Sequence, residues 1–223
     1  MPQRQKKRVY KKTKPLSASQ VKAVARIAKR VDLRNDETKL YRTNASNAVS
    51  SSFGAWYMNV LDNIPQGNTA GQRVGNKINL RGVDLKFEFS RTSVAAASDY
   101  YARVTVVEHP DPYYVKGMTT WSNAVTADFY NTGIIPIGKI KSSPMFRVLY
   151  DKSIKMPVIP TSGYASSTLH KYLRIGKDFT YDGSPTGTTT RKILVILSWY
   201  SPNPAANSGL TVNHNVSAYY KDA

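Results

Sequence analysis

Residues 77–92 read Lys-Ile-Asn-Leu-Arg-Gly-Val-Asp-Leu-Lys-Phe-Glu-Phe-Ser-Arg-Thr. In an extended chain, successive side chains point to opposite faces. Ile78 and Leu80 share one face. Val83, Leu85, Phe87 and Phe89 then alternate in the opposite phase. That is a half-buried strand whose register slips at Gly82, and such a slip predicts a bulge or bend there.

Similar runs flank it. Upstream, residues 53–61 (FGAWYMNVL) are aromatic-rich and strand-like, and 37–45 (ETKLYRTNA) form a weaker run. A turn-rich loop joins 62 to 76. Downstream, residues 100–109 carry Val104 and Val106 on one face. The long connection from Pro110 to Pro144 is expected to hold a short helix near Thr120–Tyr130, because Trp121, Val125 and Phe129 recur every four residues. A connection of that length is usually functional or contact-making. Strand signals resume at 145–151, where Phe146, Val148 and Tyr150 alternate, and at 168–181, with an interruption expected at Gly176. Residues 191–200 (RKILVILSWY) are apolar on both faces, which places them in the middle of a sheet. Residues 211–221 form the last run. Eight runs without strand–helix alternation give an all-β, antiparallel sandwich or barrel. Immunoglobulin-type sandwiches and jelly rolls both fit that count.

Composition narrows the chemistry. The chain has 223 residues and no cysteine, so it has no disulfide, no thiol nucleophile and no thiolate metal site. No apolar run approaches the ~18 residues of a membrane span, so no membrane insertion is expected. The charged start has no apolar segment behind it, and no secretory signal is expected. The histidines are His109, His170 and His214, without zinc-binding spacing. His214 is in phase with Val212, Val216 and Ala218 and reads as a core histidine. No phosphate-binding loop or nucleophile elbow is present. Asp62, Asp99, Asp111 and Asp128 lie in or near loops, and a calcium role at subunit contacts weighs far less than solvated loop acids and turn caps. The expectation is a non-enzyme with no cofactor and no metal.

The charge is concentrated at the N-terminus. Arg4, Lys6, Lys7, Arg8, Lys11, Lys12, Lys14, Lys22, Arg26, Lys29, Arg30 and Arg34 face one acid, Asp32, so residues 1–34 carry +11 of the chain's +18. Residues 35–223 keep +7 and form the expected sandwich domain. Residues 1–14 lack a helical period and cannot bury enough apolar surface to order themselves without a partner. Residues 17–31 carry a helix start, with Ser17 as N-cap, Gln20 three residues on, and Leu16 and Val21 placed as a staple. At about 100° per residue, Val21, Val24, Ile27, Ala28 and Val31 gather on one side and Lys22, Arg26, Lys29 and Arg30 on the other. A helix of about four turns is marginal alone. Its apolar side calls for a partner, here other copies of the chain, and its basic side for phosphate. A solvated surface helix and a membrane-surface helix are the other readings. The second is weakened by an apolar face of mostly Val and Ala. Lys6–Lys14 also fits a nuclear import signal, which would engage a host import receptor. Flexible Lys and Arg neutralise phosphate without reading sequence, and Tyr10 is placed to stack on a base.

Several segments resemble capsid proteins of the circovirus-like group of small circular single-stranded DNA viruses. These are Ile64-Pro65-Gln66-Gly67 followed by Gln72–Ile78, then Phe146-Arg147-Val148-Leu149-Tyr150-Asp151, Phe179-Thr180-Tyr181-Asp182-Gly183 and Lys192–Tyr200. Together they cover about a third of the chain. The resemblance implies an eight-stranded antiparallel jelly roll that assembles into the smallest icosahedral shell, of sixty copies. It implies packaging of single-stranded DNA, presence in the virion and in the host nucleus during assembly, and a cell-surface receptor. The Lys-rich arm with its formed helix departs from the longer Arg-rich tract of many relatives. In that respect it resembles capsid proteins of small satellite RNA viruses. A non-viral basic-tailed β-sandwich that coats nucleic acid shares the arm but not these segments.

Overall fold

The structure, a computed structural model, describes residues 16–35, 38–49, 53–62, 64–91, 99–110, 122–123, 146–156, 164–183, 189–202 and 210–223, with side chains in the helix through Ala28. The chain divides into two units, Met1–Glu37 and Thr38–Ala223. The first contains helix α1 (Ala18–Asn35). Among the described residues of the second are nine strands: β1 (Lys39–Val49), β2 (Phe53–Asn59), β3 (Lys77–Arg91), β4 (Tyr100–His109), β5 (Ser122–Asn123), β6 (Arg147–Met156), β7 (Ala165–Thr180), β8 (Lys192–Tyr200) and β9 (Leu210–Asp222).

Two sheets form, in the orders β1-β9-β3-β7 and β5-β2-β8-β4-β6, and every strand ladder is antiparallel. The pairs β1/β9, β2/β8, β3/β7 and β4/β6 nest around the middle of the chain like the rungs of one long hairpin. Rolling that hairpin up brings β9 beside β3 and β8 beside β4 as well. This is a jelly roll. Strand count alone left it level with the immunoglobulin arrangement; the nested pairing decides between them.

The core lies between the sheets. Ile78, Leu80, Val83, Leu85, Phe87 and Phe89 of β3 meet Val104 and Val106 of β4 and Ile193, Val195 and Leu197 of β8 in one buried cluster. Strand β8 sits mid-sheet, and Leu194 and Ile196 on its other face are buried too. His214 is buried in the β9 row, its ring stacked 6.1 Å from Phe87. Burial pushes its imidazole down to about 4, so it is neutral at pH 7.

The phase slip at Gly82 is a bulge shared by three strands. Leu80 and Gly82 are opposite Tyr220 and Tyr219 of β9, so Arg81 has no counterpart there. Across the other ladder the same two residues are opposite Lys177 and Arg174 of β7, so Ile175 and Gly176 together oppose Arg81. Gly176 takes φ +66 to do this, a left-handed conformation that costs glycine little. The expected interruption at Gly176 is thus a bulge inside one continuous strand. The helix expected near Thr120–Tyr130 is not helical at Ser122 and Asn123. These residues pair with Tyr57 and Trp56 and satisfy the free edge of β2; the rest of that stretch lies outside the described residues. Strand β6 also runs to Met156, five residues past its expected end at Asp151.

Polar staples tie strands and sheets together. Lys192 and Asp62 form a buried ion pair, and Thr189 N–H donates to the same carboxylate at 3.3 Å. Arg103 grips Asp151 through two hydrogen bonds of 2.6 Å. Glu108 of β4 accepts Lys177 Nζ from β7 at 2.6 and 2.9 Å and Arg191 Nη1 at 3.2 Å, joining the two sheets. Burial raises the Glu108 carboxyl, but these two cations more than reverse that and hold it below its usual value. A depressed carboxylate contributes stability above its unfolded pKa and loses it as pH falls through the folded value. Glu108→Gln is therefore expected to cost about 1–3 kcal/mol at neutral pH. The gap to the wild type should close as pH falls through and below the ordinary glutamate range. Urea unfolding across that range measures it; a gap independent of pH would assign the loss to packing.

Two of the quoted sequence segments meet in space. Residues 64–76 close a tight loop, in which Arg73 N–H donates to Pro65 O and Gly67 N–H donates to Arg73 O, each at 2.9 Å. The buried Arg73 guanidinium lies 3.9 Å from the centroid of the Tyr181 ring and donates to Gly75 O at 2.7 Å. Tyr181 in turn donates to Leu61 O at 3.0 Å, and its burial raises its hydroxyl far above the usual range. These residues hold the fold together.

Candidate nucleic-acid interface

Helix α1 begins as its sequence dictates. Ser17 N–H donates to Gln20 Oε1 at 2.9 Å, and Gln20 N–H donates to Ser17 Oγ at 3.3 Å. This reciprocal pair is a capping box. The helix runs to Asn35, four residues past its expected end. Val21, Val24 and Ile27 are 52–62% exposed, an apolar stripe open on a helix that also carries Lys22 and Arg26. Ala28 is exposed as well. Lys29, Arg30, Val31 and Arg34 lie within α1, their side chains outside the described set; Arg4, Lys6, Lys7, Arg8, Lys11, Lys12 and Lys14 lie outside the described residues altogether. Asp32 is the one acid between Met1 and Arg34, and Asp36 and Glu37 follow, so the unit's twelve Lys and Arg face three acids and it carries a net +9.

The sandwich adds a second cationic surface, which the sequence reading missed. Strands β6 and β7 are the end strands of their respective sheets, and they lie against each other. Two depressions run along the seam. One, of about 330 Å³, is lined by Arg147, Lys171, Tyr172 and Arg174 among aliphatic residues. The other, of about 340 Å³, is lined by Tyr150, Lys152 and His170 among others. Neither lining contains a carboxylate among the described residues. Lys171 Nζ crosses the seam to lie 5.9 Å from the Tyr150 ring centroid.

The chain was compared with known proteins. No family model matches it, and no curated protein matches it. Among solved structures it is similar to that of Desmodium yellow mottle tymovirus, with 8% identity over 96% of this chain and 95% of that one, at a TM-score of 0.34. It is also similar to the 60-mer BFDV capsid protein, with 12% identity over 84% of this chain and 94% of that one, at a TM-score of 0.36. At these scores neither superposition identifies a fold, and the jelly-roll assignment rests on the strand order.

On the outer face of the four-stranded sheet, beside the seam, two tyrosines meet. The Tyr172 and Tyr219 rings stand edge to face at 6.0 Å. They lean together across Gly82, where a Cβ would collide with the Tyr172 ring and hydroxyl and with the Leu173 carbonyl. Tyr172 is 49% exposed, and Arg42 and Arg174 on the same face are exposed. Of the carboxylates on that face, Asp84 is engaged by His170 Nε2 at 2.8 Å and by Lys86 Nζ at 3.6 Å, Asp178 by Lys77 at 3.5 Å, and Glu88 accepts from Tyr164 and Asn213, each at 3.2 Å.

The aspartates considered for calcium are otherwise occupied or lie outside the described residues. Asp62 pairs with Lys192 and Asp99 with Lys155 at 2.7 Å, while Asp111 and Asp128 are not described. Among the described residues no group of three His, Asp or Glu side chains could hold a metal.

Proposed function

We propose that the chain is the capsid protein of a small virus, a jelly-roll shell subunit that packages single-stranded nucleic acid through residues 1–34. The observation that carries this reading is the segregation of charge: +11 on those residues and +7 on all that follow, attached to a sandwich with no described catalytic constellation. One arm binds weakly and without reading sequence. Many copies facing one interior bind by avidity. The open Val21, Val24, Ile27 stripe is too small to stabilise a lone helix and fits helix–helix contact between copies at a symmetry axis. The segment resemblance favours a sixty-copy icosahedral shell, a DNA cargo and passage through the host nucleus.

Size-exclusion chromatography of the full chain with light scattering and absorbance at two wavelengths tests this. The expected result is a megadalton-scale particle with nucleic-acid absorbance. A monomer or dimer at every salt and pH would remove the capsid reading and leave a basic-tailed sandwich that coats nucleic acid. Particles holding only RNA would favour the satellite-virus type.

A further inference from the structure

We infer that the sandwich carries its own single-strand binding site: bases stack on the Tyr172–Tyr219 pair while the phosphates follow Arg42, Arg174 and the β6–β7 seam. The inference rests on the packaging reading for the identity of the polyanion, and it deepens that reading by adding a contact outside the arm.

Three observations converge. The first is the shape of the tyrosine pair. Gly82 leaves a gap on the outer face of β3, and Tyr172 lies over it toward Tyr219. The two rings form an aromatic platform on a strand surface, fixed from below by backbone and half open to solvent. Bases of any sequence stack on such platforms, because every base presents a π-face. The second is charge. Arg174 is opposite Gly82 in register and lines the seam beside Tyr172. Arg147 and Lys171 continue that lining, and Lys152 lines the neighbouring depression. The third is the state of the acids. Asp84 is held by His170 and Lys86, and Asp151 by Arg103. Glu88, farther along β3, accepts from the neutral donors Tyr164 and Asn213 and offsets only part of the charge of Arg42, Arg174, Arg147, Lys171 and Lys152. Lys and Arg along a groove, with aromatic side chains set among them, are the two components of a non-sequence-specific single-strand site. A duplex keeps its bases stacked on each other and has no use for the platform.

The test uses the full chain and fluorescence anisotropy of labelled oligothymidylate over a salt series. High salt weakens the phosphate contacts of the arm and of the seam alike, and stacking is what persists. Tyr172→Ala with Tyr219→Ala is expected to weaken binding roughly ten-fold or more while leaving the salt slope unchanged. Tyr172→Phe with Tyr219→Phe keeps the rings and should bind as the wild type does. Arg42→Gln with Arg174→Gln should flatten the salt slope by about 1.4, at ~0.7 per single-strand phosphate contact. An alanine pair that binds like the wild type, an oligomer of abasic sugars that binds as well as oligothymidylate, or a matching duplex that binds as well would each overturn the site and leave packaging by the arm standing. Should the alanine pair unfold, the arginine pair decides: an unchanged slope overturns the site. A wild-type chain that binds no oligothymidylate at any salt would overturn both this site and the packaging reading.

Discussion

Lys192→Ala is expected to lower unfolding stability by about 3–5 kcal/mol. Lys192 is fully buried, and its partner Asp62 is nearly so. The ammonium opens β8 and the carboxylate follows β2, so the pair pins the ends of two adjacent strands. Removing the ammonium leaves a carboxylate out of water with only the Thr189 contacts to hold it. Stranding one member of a buried pair is far costlier than the pair is stabilising. A domain of this kind has about 5–15 kcal/mol in all, so the loss would bring the chain close to unfolding at ordinary temperature. Neutralising both partners should behave differently. Asp62→Asn keeps an oxygen for Thr189 N–H, and Lys192→Met fills the space of the stem, so the double substitution is expected to recover most of the loss. Urea titration of tryptophan fluorescence in the two singles and the double separates the cases. Lys192→Met alone as stable as the double would mean that packing of the lysine stem, not charge, sets the cost.

The same pair shows what a sequence can and cannot disclose. The alternation of Ile78 to Phe89 and the apolar run of Lys192 to Tyr200 were readable because burial imposes a period along the chain itself. The capping box at Ser17 and Gln20 was readable because both partners lie within one turn. Even the slip at Gly82 was readable from phase. At Gly176 an interruption was readable but its form was not, because an extra residue there makes sense only opposite Arg81. The second half of β6 was missed for a related reason. Lys152, Ser153 and Lys155 are exposed on an end strand, with burial resuming at Met156, and so leave little pattern. Trp121, Val125 and Phe129 suggested a helix by spacing, yet Ser122 and Asn123 answer the open edge of β2. The contacts Lys192–Asp62, Arg73–Tyr181 and Lys177–Glu108 span 69 to 130 residues, and no local rule relates them. The arm cations were legible from composition. The β6–β7 seam was not, because its cations come from two strands that only the roll-up of the chain brings together.

Neutralising Lys6, Lys7, Arg8, Lys11, Lys12 and Lys14 with glutamine is expected to have the largest effect on cargo. These six cations are half of the twelve on residues 1–34. Each single-strand phosphate neutralised adds about −0.7 to the slope of log affinity against log salt. Six contacts account for a slope change of about 4, and near physiological salt that corresponds to roughly a thousand-fold in affinity. All twelve together would give a slope of about −8. If the chain forms a packaging shell as proposed, these substitutions, which lie before the first strand, should leave the particle formed while its nucleic-acid absorbance falls. Light scattering with absorbance at two wavelengths reads both quantities at once, and a salt series on oligothymidylate reads the slope. Particles with undiminished cargo and an unchanged slope would show that residues 6–14 do not neutralise phosphate, and would leave α1 and the sandwich surface to hold the strand. Loss of particles together with loss of cargo would mean that nucleic acid is needed for assembly, the outcome expected if weak subunit contacts are completed only when a shared polyanion screens the repulsion between arms. The two results separate a shell that admits cargo from a shell that is built around it.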